Sequence, residues 1–128
     1  MAATAAWLDD LATYLAAQGI GTVGTTIFKG QFPTDILEGV LIVPTGGFTT
    51  LKTITTERPT IQVTCRYKSF ATAWAKSYAI YALLNQPLTF ASGANKFFYS
   101  RAIQPPFSLG QADRQLCHIV NNYQLWLT

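Results

Sequence analysis

The sequence predicts an α+β domain in which a largely antiparallel β-sheet packs against two α-helices, in the order α-β-β-(hairpin arm)-β-α-β-β. Three observations predict it. Two segments repeat apolar residues at helical spacing, and the other apolar segments alternate or are β-branched. The strands are joined mainly by turn residues, with one helix leading and one inserted, which favours antiparallel neighbours over repeated βαβ crossovers. All 128 residues fit one domain, 1–128, with a projecting arm or loop at about 45–57.

The first helix spans about Ala5–Gln18. Trp7, Leu8, Leu11 and Leu15 recur at helical spacing, Asp9 and Asp10 favour its positive N-terminal end, and Gly19 supplies a left-handed C-terminal cap. Val23–Lys29, with Thr25, Thr26, Ile27 and Phe28, reads as a strand ended by Gly30 and Pro33, and Gly39–Val43 reads as a second, more buried one. Pro44-Thr45-Gly46-Gly47 is a turn signal, and the hydroxyl-rich Phe48–Thr56 projects from it as a hairpin arm or loop. Thr60–Tyr67 alternates cleanly, with Ile61, Val63, Cys65 and Tyr67 on one face and Gln62, Thr64 and Arg66 on the other.

Ser69 caps a second helix that runs to about Asn85. Ala71, Trp74, Ala75, Tyr78 and Ala82 mark one face of it, and Phe70, Ala73, Ile80, Tyr81 and Leu84 mark another. A helix apolar on two sides has more apolar surface than one sheet covers, so part of it is expected to meet a second chain. Phe97–Ile103 is a strand and Pro105–Gly110 a connection; Gln115–Leu127 is a long final strand with Cys117, Ile119, Tyr123, Leu125 and Leu127 inward and His118 outward.

Composition narrows the function. Hydrophobic residues make up 49% of the chain and charged residues 12%, about half the usual ~25% charged fraction, so the surface relies on hydroxyls, amides and apolar groups. No apolar stretch approaches the ~20 residues of a membrane-spanning helix. Met1–Trp7 lacks the basic start of a secretion signal. Cys65 and Cys117 have no CxxC spacing and read as small buried hydrophobes.

The net charge of +3 is unevenly distributed. Residues 1–57 carry Asp9, Asp10, Asp35, Glu38 and Glu57 against Lys29 and Lys52, whereas residues 58–101 carry Arg58, Arg66, Lys68, Lys76, Lys96 and Arg101 with no acid. A basic segment of this kind suits a nucleic-acid surface, a solvated face, or an edge complementary to the acidic edge of a neighbouring copy.

Catalytic signatures are weak. Gly19, Gly21 and Gly24 satisfy GxGxxG, but they follow a helix and precede a strand, the reverse of what dinucleotide binding requires. His118 is the sole histidine and has no acid and nucleophile set beside it; Asp35 and Glu38 lie in a connection bracketed by Pro33 and Gly39. No enzyme activity, catalytic residue, metal site or cofactor is expected.

The stretch Glu57-Arg58-Pro59-Thr60-Ile61-Gln62-Val63-Thr64-Cys65-Arg66 resembles the tail-terminator and minor-capsid family of tailed bacteriophages. Leu15-Ala16-Ala17-Gln18-Gly19-Ile20-Gly21, Pro44-Thr45-Gly46-Gly47, the Ala-rich helix, Pro105-Pro106-Phe107-Ser108-Leu109-Gly110 and Asn121-Asn122-Tyr123 follow that family's order. The resemblance implies a virion protein assembled in the bacterial cytoplasm. It would form a homo-oligomeric ring, a hexamer, on the head-proximal end of the tail tube, stopping tube polymerisation and giving the head or neck its joint. Its implied partners are its own copies, the tail tube protein and a connector or neck protein. No membrane and no specific nucleic-acid partner is implied, although genome DNA would pass through the ring.

On that reading the Thr45–Glu57 arm contacts a neighbour or the tube through Phe48, Leu51 and Ile54, which have no core of their own to enter. Arg58 and Arg66 are planar donors suited to carboxylates across the subunit boundary. The alternatives are another neck component, such as a head-tail adaptor or completion protein, and a small nucleic-acid-binding module.

Overall fold

The computed structural model describes residues 6–48, 56–85, 90–92, 95–111 and 116–128. Helix α1 (Trp7–Ala17) leads, followed by β1 (Ile27–Lys29), β2 (Gly39–Phe48) and β3 (Arg58–Tyr67). Helix α2 (Phe70–Leu84) comes next, then β4 (Phe90–Ser92), β5 (Asn95–Ala102), β6 (Phe107–Gln111) and β7 (Cys117–Leu127). The strands form one sheet in the order β1-β2-β3-β7-β5-β4, with β6 also on β7. The α+β class stands. Every pairing is antiparallel except β1 with β2, which run parallel.

Local chemistry sets the helix ends. After α1, Gly19 at φ 85° lets its amide reach the Ala16 carbonyl while the Ile20 amide reaches that of Leu15. This doubly bonded left-handed cap brings Ile20 into the core beside Leu15. At α2 the Ser69 hydroxyl accepts from the Thr72 amide at 3.3 Å.

Alternation along the strands builds the core. Ile61, Val63 and Cys65 of β3, Val40 and Ile42 of β2, and Ile119, Tyr123, Leu125 and Leu127 of β7 share the face covered by Leu11 and Leu15 of α1 and by Ala73, Ile80 and Leu84 of α2. Asn121 keeps the same inward period and is fully buried, its amide donating to the Tyr123 hydroxyl. Burial pushes the pKa of that hydroxyl up, and it pushes the Cys65 thiol up to about 12. Both cysteines are buried and unpaired.

Helix α1 touches both ends of the sheet. Asp9 pairs with Lys29 of β1, while Asp10 accepts from Asn95 of β5, and Tyr14 stacks on Phe90 of β4 at 3.7 Å. A flat sheet would put β1 and β4 five strand spacings, about 24 Å, apart. With about 16 Å of helix length and the reach of Lys29, Tyr14 and Phe90, α1 spans the covered face from one edge strand to the other.

Several expected boundaries move. The first strand is only Ile27–Lys29, because the Thr22 carbonyl accepts from the amides of Thr25, Thr26 and Ile27 and folds the preceding residues into a turn. β2 runs on to Phe48 through a register shift between Pro44 and Gly47, so the base of the arm is paired with β3. Gly47 permits this: it sits at φ 113°, where a Cβ would lie 2.3 Å from the Arg58 carbonyl oxygen. The stretch expected to be a Pro-rich connection contains β6, which takes the part of the β7 edge that β5 leaves open. β4 is a further short strand.

On α2 the inward face is Ala73, Ser77, Ile80 and Leu84. Ser77 is the polar member of that face, only 2% exposed.

Since Leu15 is fully buried in the core that α1 seals, Leu15→Ala should lower unfolding stability by about 3 kcal/mol. Urea denaturation followed by circular dichroism measures this; an effect below about 1 kcal/mol would contradict the sealing role.

Candidate functional site

The sites foreseen in the sequence fall at opposite ends of β3. At the arm base Phe48 is 58% exposed, with the Arg58 guanidinium 5.2 Å from its ring centre. Leu51 and Ile54 lie outside the described residues. Arg66 is eight positions along β3 from Arg58, roughly 26 Å by strand rise, so the structure does not bring the two arginines together.

Arg66 is engaged within its own chain. Its Nε donates to the Leu37 carbonyl at 2.7 Å, one Nη donates to that of Ile36 at 2.8 Å, and its plane lies 3.8 Å from the Phe32 ring centre. A forked cation over an aromatic ring thereby fixes the loop between β1 and β2. Glu38 of that loop accepts from the Lys68 amide, whereas Asp35 is exposed and has no ion-pair or hydrogen-bond partner among the described residues.

Among the described residues, two surfaces rich in aromatic side chains reach solvent. One is the outer side of α2, where Phe70, Trp74, Tyr78 and Tyr81 form a continuous ladder with ring centres 5.6, 4.9 and 5.6 Å apart. Phe70 and Tyr78 are 49% and 39% exposed, and Ala71, Ala75, Ala79 and Ala82 beside them are exposed too. The sequence marked this helix as apolar on two sides, and that reading holds, although the faces divide differently.

The other surface is the side of the sheet facing away from both helices, which no local pattern in the chain foretells. There Tyr99 and Arg101 of β5 meet Gln124 and Trp126 of β7 around an open depression of about 450 Å3. Arg101 Nε donates to Gln124 Oε1 at 3.2 Å, and Trp126 lies against Tyr99 and Phe98 with ring centres 5.5 and 6.2 Å away. These residues lie far apart in the chain and converge only through the β5–β7 register.

His118 lies on the outward period of β7, as expected, opposite Arg66, and its Nε2 is buried with no hydrogen-bond partner among the described residues. Burial first, and the Arg66 charge second, lower its pKa from the ordinary 6.5. Among the described residues no three His, Cys, Asp or Glu side chains gather to hold a metal ion, and no helix is long and apolar enough to cross a membrane. The glycines of the GxGxxG spacing occupy the α1–β1 connection, after a helix and before a strand.

Compared with known families, the chain matches over residues 14–128 the family described as bacteriophage tail terminator protein. No curated protein matches it.

The His118 shift has a definite sign. Its neutral form is favoured on folding, so this contribution is complete above pH 6.5 and is lost as pH falls from 6.5 through the lower folded-state pKa. Thermal melts at pH 7.5 and 5.5 should show a drop on acidification that His118→Gln largely removes; an equal drop in the variant would contradict this account.

Proposed function

The chain belongs to the bacteriophage tail terminator family, and we propose that it acts by closing into a homo-oligomeric ring, a hexamer, on the head-proximal end of the tail tube. The ring ends tube polymerisation and offers the head or neck its joint. Its partners are its own copies, the tail tube protein and a connector or neck protein. The mechanism is steric: one face of the ring matches the last layer of tube subunits, and the other lacks the surface on which a further layer would build.

The observation that carries this reading is the aromatic ladder Phe70–Trp74–Tyr78–Tyr81 on α2, in which Phe70 and Tyr78 are exposed while Trp74 and Tyr81 are half-buried against the core. Clustered aromatics on a rigid helix are the kind of surface that dominates protein interfaces. A closed ring joins unlike patches head to tail, so every copy needs two distinct surfaces, and the α2 ladder and the outer sheet face are such a pair. The arm base, with Phe48 and Arg58, is a further contact to a neighbour or to the tube, together with Leu51 and Ile54. Arg66 serves indirectly, by holding the loop between β1 and β2.

Light scattering and negative-stain imaging of the purified protein should reveal rings. Tyr78→Glu, which places a charge on the exposed part of the ladder, should shift the population towards monomers, whereas Thr72→Glu, on an exposed polar position of the same helix, should leave it unchanged. A wild-type protein that stays monomeric even when mixed with tube subunits would overturn the proposal.

A further inference from the structure

We infer that the depression between β5 and β7 is a socket for an acidic side chain of a second copy of this chain, Asp35. This rests on the ring reading above and adds to it which residues meet.

The socket has the chemistry for a carboxylate. The Gln124 amide oxygen accepts from Arg101 Nε and so fixes the guanidinium plane, leaving its two Nη groups to face a partner. Two such donors in one plane match the two oxygens of a carboxylate. Trp126 and Tyr99 wall the site with flat aromatic surface, and Gln124 is only 8% exposed. Arg101 itself is exposed, and a partner seated over it shuts out solvent and so strengthens a charge-assisted bond made there. Neither β5 nor β7 contains an Asp or Glu, so no acid of these strands competes for Arg101. A single fixed cation suits one carboxylate, whereas a nucleic-acid backbone calls for several spaced cations.

Among the acids of the described residues, the choice follows by elimination; Asp113 lies outside them. Asp9 pairs with Lys29, Asp10 accepts from Asn95, and Glu38 accepts from the Lys68 amide. Glu57 bridges to Leu127, whose side chain belongs to the helix-covered face, so it lies behind its own socket rather than across the molecule. Asp35 is exposed on the loop joining β1 to β2, at the far edge of the sheet from β5. The Ile36 amide also bonds the Pro33 carbonyl, and Arg66 fixes the Ile36 and Leu37 carbonyls, so the acid is presented on an ordered loop and little is lost in ordering it. With the acid at one edge and the socket towards the other, each copy gives one and receives one.

Sedimentation velocity on Arg101→Glu, Asp35→Arg and the double variant tests this, with circular dichroism as the check on folding. Each single change should raise the concentration needed for association about tenfold or more, and the double variant, with the charges exchanged, should regain most of it. If the wild type associates and Arg101→Glu associates equally well, the socket is wrong while the ring stands. If both single variants weaken association and the double variant does not recover, Asp35 is not the occupant. A wild type that never associates, with tube subunits present or absent, removes the ring itself. Binding of short oligo-dT that Arg101→Glu abolishes would reassign the socket to nucleic acid and overturn the inference.

Discussion

The contact of one short helix with both edges of a seven-stranded sheet governs the architecture. Edge strands expose unpaired backbone groups, and the protein keeps that exposure small, because β1 and β4 are only three residues long. The protein covers both with α1, using an ion pair on one side and a stacked Tyr14–Phe90–Phe97 column on the other. Both helices lie on one face of the sheet, where the apolar period of the long strands is buried, and the opposite face is left without a helix. The bare outer face of α2 follows from its position as the outermost layer over the covered face.

How much of this was legible depends on how local each cause is. The caps at Gly19 and Ser69 are set by residues within one turn, and both were readable. The alternation of Thr60–Tyr67 likewise fixed which side chains face the core. β6 was hidden because Pro105 and Pro106 resemble a connection and Gly110 breaks its alternation; its strand character comes from the vacant length of β7, a tertiary cause. Asn121 was hidden because a polar residue at an inward position becomes acceptable only with the Tyr123 hydroxyl beside it.

The candidate contacts divide in the same way. That α2 has too much apolar surface for one domain could be read from its composition, since that is a property of a single helix. The role of Arg66 could not, because its acceptor carbonyls stand 29 and 30 residues away and are reached only after β2 and β3 pair. Tyr99, Arg101, Gln124 and Trp126 converge for a similar reason, across a register that no local pattern encodes. The unequal charge of the two segments was visible from the start, but its spatial meaning depended on the strand order, which sets the acidic β1–β2 loop apart from the basic β5 strand.

Strand β7 is bonded along both flanks, to β3 on one side and to β6 and β5 in succession on the other. Beyond them Leu127 exchanges two bonds with Glu57, and Thr128 exchanges two with Lys96. A tug directed along this strand would load all of those ladders in shear at once, whereas a sheet pulled from its margin peels one bond at a time. The centre of the fold is therefore built as a tension member, mechanically stiffest along the axis of its longest strand.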